Sequence, residues 1–247
     1  MKRHSVPALF NWAGSKARVA KALCVLNLPR FENYHEPFMG SGAAFFGFSS
    51  AGLITKAQLS DANPRLVNVF KAVQSFPNDV VQGLRGHSLL DSDVHFSAVL
   101  GRLNARGGDG SVDSQIASDV IYLLSQSFHS AWYETLQGSV SMSRRRNAGP
   151  FRSRLQDVAM AASLLQGATI CVKDFRESLQ LVASGDLVFL DPPYLFAEDQ
   201  TDRQAYNANR FSTSDLQHLS SEIERLVSMG AHLICCWVLA RDQLSPV

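Results

Sequence analysis

The fold class of this chain follows from one stretch, Leu187-Val188-Phe189-Leu190-Asp191-Pro192-Pro193-Tyr194. Its first four residues are all apolar, as expected of a central parallel strand that is buried on both faces. The two prolines remove two backbone donors and force extended geometry on the residues before them, so the strand ends there. Because ligands of open α/β sheets bind outside the carboxyl ends of the strands, Asp191 is predicted to face a ligand.

Strands and helices alternate on both sides of this stretch. Tyr34 to Phe38 is an extended segment that runs into a tight turn at Gly40-Ser41-Gly42, and Ala57 to Leu59 is a second strand. Leu216 to Met229 has the spacing of an amphipathic helix and precedes a further strand at Leu233 to Val238. This alternation predicts an α/β sheet domain.

The middle of the chain has a different pattern. Ile116 to Phe128 is an amphipathic helix, and Ser143 to Pro150 is a basic stretch bounded by glycine and proline. We therefore predict a mainly helical domain over residues 68–154, inserted into a catalytic domain that is formed by residues 1–67 and 155–247.

The composition is that of a globular protein, with 46% hydrophobic and 18% charged residues. The formal net charge of +1 neither favours nor excludes a nucleic-acid partner. The four cysteines form no C-x-x-C pair, so no zinc site or disulfide framework is predicted. No apolar run approaches the roughly 20 residues of a membrane span, and the first residues lack the apolar core of a signal peptide, so we expect a cytoplasmic protein.

The motif Asp191-Pro192-Pro193-Tyr194 resembles the catalytic motif of amino-methyltransferases, in particular the Dam-type adenine-N6 DNA methyltransferases of the D12 class, alpha group. The lone pair of adenine N6 is delocalised into the ring, so acceptors for both N6 hydrogens bias the nitrogen towards tetrahedral geometry. The resemblance gives this role to Asp191 and the Pro192 carbonyl, and stacking on the flipped base to Tyr194. The alternative is a proline-stiffened loop with a packed tyrosine.

Two further motifs resemble cofactor-binding segments of that family. Glu36-Pro37-Phe38-Met39-Gly40-Ser41-Gly42 is similar to its S-adenosylmethionine (AdoMet) loop, whereas Phe45 at the third glycine position argues against a dinucleotide site. Phe10-Asn11-Trp12-Ala13-Gly14-Ser15-Lys16 resembles its Trp-Ala-Gly-x-Lys segment. A phosphate loop is disfavoured there because it requires glycine where this chain has Leu9 and serine or threonine where it has Ala17.

Two acidic residues complete the predicted cofactor site. Asp61 ends the second strand, where a carboxylate can bind ribose hydroxyls, although it could instead be a helix N-cap. By resemblance, Asp174 and Phe175 contact the adenine moiety, unless they simply end a strand. The full set of predicted AdoMet-binding residues is Trp12, Gly14, Lys16, Glu36, Pro37, Phe38, Gly40, Gly42, Asp61, Asp174 and Phe175.

The predicted DNA-binding residues lie where the chain departs from the family. The DNA-reading stretch of the family has an Asn-Arg pair and a later Asn-Gly, but this chain has Ser125-Gln126-Ser127-Phe128-His129-Ser130-Ala131-Trp132-Tyr133. Gln126, His129, Trp132 and Tyr133 are candidates for base contacts, although aromatic residues at this spacing are more often packing residues. Arg144, Arg145 and Arg146 are candidates for phosphate contacts, with a solvated charge run as the alternative.

The resemblance implies a Rossmann-like AdoMet-dependent methyltransferase sheet with an inserted, mainly helical target-recognition domain. It implies methyl transfer from AdoMet to adenine N6 at specific sites in double-stranded DNA, without a metal, in a phage or restriction-modification setting. The strand at Leu233 to Val238 lacks the polar tail and closing hairpin that are usual in the family. A truncated, weak or inactive protein that binds DNA or AdoMet is therefore the alternative, and a methyltransferase acting on RNA or a protein amide is a third hypothesis.

Overall fold

The computed structural model describes residues 6–12, 14–24, 28–106, 111–130, 132–135, 137–193 and 211–236. The helices within these ranges are α1 (Ala17–Leu23), α2 (Ala43–Ser50), α3 (Pro64–Ser75), α4 (Pro77–Leu90), α5 (Asp93–Ala105), α6 (Ser114–Gln126), α7 (Leu155–Leu164), α8 (Phe175–Leu179) and α9 (Thr213–Met229). The strands are β1 (Tyr34–Glu36), β2 (Ala57–Asp61), β3 (Tyr133–Glu134), β4 (Val140–Ser141), β5 (Ala168–Val172), β6 (Leu187–Leu190) and β7 (His232–Cys235).

Five of these strands form one parallel sheet in the order β5-β2-β1-β6-β7. The chain leaves β1 towards β2 on one side and later returns to β6 on the other side. This reversal places a crevice at the carboxyl ends of β1 and β6, which is where open α/β sheets bind ligands. The predicted α/β fold is confirmed, and all four residues of β6 are buried as the sequence indicated.

Alternate residues of β6 enter two different hydrophobic clusters. Leu187 and Phe189 join the larger cluster, which also contains side chains of α2, α3, α6 and α7. Val188 and Leu190 join a smaller cluster with side chains of α8 and α9. Helices therefore cover both faces of the sheet at β6, whereas the edge strands β5 and β7 are partly exposed.

Short-range signals in the sequence fix the ends of the helices beside the crevice. The Asn63 side chain accepts hydrogen bonds from the Arg65 and Leu66 amides, and Pro64 occupies the first turn, so α3 starts directly after β2. Helix α9 starts with a capping box of Ser212 and Asp215 and ends at Gly230 in left-handed geometry.

The inserted region consists of α4, α5 and α6 together with an antiparallel hairpin of β3 and β4. The buried cluster that lies on the sheet also contains side chains of these helices, including Leu84, Val99 and Leu124. The predicted boundary at residue 68 falls within α3, and the division into two domains stays a prediction. None of the helices in the described ranges is long and apolar enough to span a membrane.

Candidate active site

A cleft of about 550 Å³ opens at the carboxyl ends of the strands, along β1, β2, β5 and β6. It brings together residues from six separate segments of the chain. The predicted site residues that line it are Trp12, Gly14, Lys16, Glu36, Pro37, Phe38, Gly40, Asp61, Asp174, Phe175, Asp191, Pro192 and Pro193. Tyr194 lies outside the described residues, so its role stays a prediction.

The turn after β1 depends on two glycines in left-handed geometry. Gly40 has a φ of +49°, and a Cβ on it would lie 3.2 Å from Nε1 of Trp12. Gly42 has a φ of +65° and precedes α2, and a Cβ there would lie 3.0 Å from the Phe70 ring. Gly42 does not line the cleft, so its role is to allow the left-handed turn and the close packing against Phe70.

Asp61 holds this loop to the start of α3. One carboxylate oxygen accepts a hydrogen bond of 2.9 Å from the Gly40 amide, and the other accepts one of 2.9 Å from the Asn63 amide. Burial raises the pKa of Asp61, whereas these two hydrogen bonds lower it. The alternative that Asp61 is the helix N-cap is wrong because Asn63 has that position.

Glu36 is a buried carboxyl group at the base of the cleft, with only 2% of its surface exposed. It accepts hydrogen bonds from the Tyr34 hydroxyl at 2.7 Å and the Phe45 amide at 3.0 Å. Burial, assisted by the Asp191 and Asp61 carboxylates, raises the pKa of Glu36 to about 8 despite these hydrogen bonds. Glu36 is therefore mostly protonated at neutral pH.

Asp191 forms an ion pair with Lys16, whose Nζ lies 2.7 Å from Asp191 Oδ1 and also donates to the Gly14 carbonyl at 2.8 Å. Burial raises the pKa of Asp191, and the neighbouring ammonium acts against that rise. Lys16 was predicted to contact the cofactor. The structure adds a contact with the predicted catalytic carboxylate, which spacing along the sequence did not reveal.

The far wall of the cleft is aromatic. The rings of Phe38 and Phe175 stack at 5.3 Å between centroids, and Phe211 packs against both. Asp174 is the N-cap of α8 and accepts a hydrogen bond of 2.9 Å from the Arg176 amide. Its carboxylate is also paired with the Arg176 guanidinium, which lies over the Phe175 ring.

The sequence analysis missed Phe211, Arg176 and Asp215, which also line the cleft. Arg176 bridges Asp174 to Asp215 and so links α8 to the first turn of α9. Asp215 had a local signal, since Ser212 and Asp215 have the spacing of a capping box. The ion pair between Arg176 and Asp215 had no signal in the sequence, because the two residues are 39 positions apart in the chain.

Two of the predicted DNA-binding residues are tied up inside the protein. Gln126 is 2% exposed, and its amide group donates to Asp91 at 3.1 Å and to the Gly149 carbonyl at 3.3 Å. Arg144 donates to Asp91 at 2.7 Å and to Asp93 at 2.6 Å. We therefore remove Gln126 and Arg144 from the DNA-binding set, because their donors support the fold.

Trp132 is also buried, with 1% of its surface exposed. His129, Arg145 and Arg146 remain candidates, and together with the neighbouring Phe128 they define what we call the aromatic–basic surface. All four are exposed. Backbone hydrogen bonds from Phe128 N to Ser143 O at 2.8 Å and from Arg145 N to Gln126 O at 2.9 Å hold its two segments together. His129 has a φ of +54°, an uncommon and strained conformation for a residue with a side chain.

Residues 12–234 match the family described as D12 class N6 adenine-specific DNA methyltransferase. The chain belongs to this family. The match begins at Trp12 and ends within β7, so it includes both the sheet and the inserted helices. The family that the sequence motifs indicated is thereby confirmed.

Named relatives agree with this assignment. The chain is 22% identical over 242 residues to the type II methyltransferase M1.LlaDCHI of Lactococcus lactis subsp. cremoris, covering 96% of this chain and 81% of that protein. It is 24% identical over 213 residues to the DNA adenine methylase of Serratia marcescens, covering 86% and 76% of the two chains. It is 23% identical over 220 residues to the DNA adenine methylase of Escherichia coli K12, covering 89% and 76%.

The proton on Glu36 predicts how the stability of this methyltransferase depends on pH. The folded protein keeps this proton up to about pH 8, whereas a glutamate in the unfolded chain loses it near pH 4.3. The free energy of unfolding should therefore fall as pH rises from 5 to about 8, by on the order of 4 kcal/mol at most. Glu36→Gln, which imitates the protonated side chain, should lose most of this dependence.

Urea unfolding of the wild type and the variant at several pH values measures the effect. Glu32→Gln, which changes an exposed carboxylate near the same strand, is the matched control and should keep the wild-type dependence. Identical pH dependence in wild type and Glu36→Gln would show that Glu36 is ionised in the folded protein.

Proposed function

We propose that this chain transfers the methyl group of AdoMet to N6 of adenine at specific sites in double-stranded DNA. The observation that carries this proposal is the position of Asp191. Its carboxylate stands at the carboxyl end of β6, followed by two rigid prolines, in the same cleft as the glycine loop. An acceptor for the N6 hydrogens and a loop for the methyl donor are thus within one cavity.

The residues of the cleft suit AdoMet. The carboxylates of Asp61 and Asp191 favour a cationic ligand, and the left-handed Gly40 allows close approach to the backbone. Asp61 is suited to ribose hydroxyls, and the aromatic wall of Phe38 and Phe175 to an adenine ring. When bound, AdoMet supplies a methyl group on a positively charged sulfur, which is the electrophile of the reaction.

Asp191 and the Pro192 carbonyl act on the target base. Each accepts one N6–H, which directs the nitrogen lone pair towards the methyl carbon. Methylation would leave N6 positively charged with one proton to lose, and an ionised Asp191 is placed to accept that proton. Lys16 is a positioning residue, since its ammonium favours the ionised form of Asp191.

The aromatic–basic surface is our candidate for the DNA contact. Arg145 and Arg146 are exposed and adjacent, and they supply the positive charge that a phosphate backbone requires. The exposed rings of Phe128 and His129 pack edge to face, with their centroids 4.0 Å apart, and we propose that they contact base edges. The phosphate contacts orient the duplex, whereas contacts to base edges carry sequence information.

Methyl transfer tests the proposed reaction directly. Labelled AdoMet is incubated with unmethylated duplex DNA of random sequence, and the positions of methylated adenines are mapped. Asp191→Ala should reduce the rate by on the order of a hundredfold or more, because an acceptor at the reacting nitrogen is lost. Asp79→Ala, which removes an exposed carboxylate from α4, is the control. Label in RNA or protein alone, or in no substrate, would refute the proposal.

The Lys16–Asp191 pair predicts a shift in the pH dependence of the rate. Lys16→Met removes the charge that opposes the raised pKa of Asp191, so that pKa should rise further. The acid limb of the kcat profile should then move to higher pH. Lys56→Met is the control with an exposed lysine. A loss of rate that is equal at every pH would contradict this role.

The assignment of Arg145 and Arg146 predicts a change in salt dependence. Each phosphate contact contributes about 0.9 to the slope of log affinity against log salt concentration. Arg145→Gln and Arg146→Gln should each flatten this slope by about that amount, with a similar loss of affinity for every sequence. Arg85→Gln, which removes an exposed arginine from α4, should leave the slope unchanged. Fluorescence anisotropy with a labelled duplex at several salt concentrations measures it, and unchanged slopes would exclude both arginines from the contact.

A further inference from the structure

The hairpin of β3 and β4 contacts the predicted AdoMet loop, residues 36–42, which we call the cofactor loop, through an aromatic pair. Trp132 is 1% exposed, and its ring centroid lies 6.5 Å from that of Trp12. Trp12 in turn packs on Gly40, the glycine that leads into the cofactor turn. Trp132 directly precedes β3, and its side chain and that of Glu134 are buried, whereas Tyr133 between them is partly exposed.

A second attachment joins the same hairpin to the start of α3. Arg65 Nη1 donates to the Glu134 carboxylate and, at 3.0 Å, to the Gly138 carbonyl in the turn of the hairpin. The side chains of Arg65 and Glu134 are only 19% and 4% exposed. An ion pair that is removed from water is strong only while its geometry is kept, so it resists displacement of the hairpin.

The two attachments lead back to the same loop. The Arg65 amide donates to the Asn63 side chain, the Asn63 amide donates to Asp61, and Asp61 also accepts from the Gly40 amide. Gly40 is therefore connected to the hairpin through Trp12 and Trp132, and independently through Asp61, Asn63 and Arg65. The result is a closed ring of contacts with the cofactor loop at one side and the hairpin at the other.

The far side of the hairpin continues into the proposed DNA contact. Only two residues separate Ser141, the end of β4, from Arg144. Arg144 forms a β-bridge with Ser127, directly before Phe128 and His129 of the aromatic–basic surface. A displacement of the hairpin relative to the cofactor loop is thus transmitted to Arg145 and Arg146 by the backbone.

We propose that Glu134 and Arg65 are positioning residues that couple occupancy of the cofactor cleft to the affinity for DNA. Cofactor binding fixes Gly40 and Asp61, and the ring of contacts then fixes the hairpin in the orientation that DNA requires. DNA binding after the cofactor consequently needs less ordering, and by linkage DNA strengthens cofactor binding by the same factor. This inference rests on the proposed function.

The coupling is measured as the ratio of DNA dissociation constants without and with saturating S-adenosylhomocysteine, the demethylated cofactor. We expect a ratio of about 10 for the wild type, and below about 2 for Glu134→Gln and Arg65→Gln. Glu134→Asp, which retains the charge, should recover part of the ratio. Arg106→Gln breaks an exposed ion pair with Asp113 elsewhere in the inserted region and should keep the wild-type ratio.

A merely structural role predicts lower stability with an unchanged ratio, and that result would overturn the inference. So would a wild-type ratio near 1. If the wild type binds S-adenosylhomocysteine but neither binds nor methylates DNA, the proposed function fails instead. DNA methylation with equal ratios in wild type and Glu134→Gln means that this inference alone fails.

Hydrogen exchange of the wild type tests the ring without any substitution. S-adenosylhomocysteine should slow exchange of the Thr135 and Gly138 amides, which form the internal hydrogen bonds of the hairpin turn. Exchange at Gly230, beyond the end of α9, should stay unchanged. Equal exchange of the hairpin amides with and without this ligand would overturn the inference even if the variants failed to fold.

Discussion

The architecture around the cleft depends on the two hydrogen bonds that the partly buried Asp61 carboxylate accepts. Through the Gly40 amide it fixes the turn after β1, and through the Asn63 amide it fixes the residue that caps α3. Strand β2 thereby defines both the loop that faces the ligand and the helix that carries Arg65. The same carboxylate orders the cofactor loop and the start of α3. It therefore connects the sheet to the cleft and, through Arg65, to the hairpin.

The cleft concentrates carboxylates in a setting that disfavours their ionisation. Burial raises the pKa of Glu36, Asp61 and Asp191, and mutual repulsion adds to the rise at Glu36. A cationic ligand relieves part of this repulsion, so binding of a sulfonium is expected to be accompanied by proton release. The electrostatics of the cleft thus favour a cationic cofactor, although the net charge of the chain gives no such indication.

The sequence was informative wherever function depends on local geometry. The apolar strand before Asp191, the glycines at 40 and 42 and the aspartate that ends β2 all carry local constraints, and the structure brings most of them to one cleft. It was misleading at Gln126 and Arg144, because their partner Asp91 lies 35 and 53 residues away in the chain. The Arg65–Glu134 pair, separated by 69 residues, was missed for the same reason. Periodicity reports which face of an element is buried, but it does not report which distant side chain meets it.

The uneven burial of the hairpin residues has an evolutionary consequence. Trp132 and Glu134 contact the body of the protein, whereas Tyr133 between them is partly exposed. Substitutions at the outward positions of the hairpin can therefore accumulate without disturbing the cofactor loop, while those at the inward positions are restricted. Lineages of such enzymes can diversify the surface they offer to a duplex and still inherit an unaltered chemical centre.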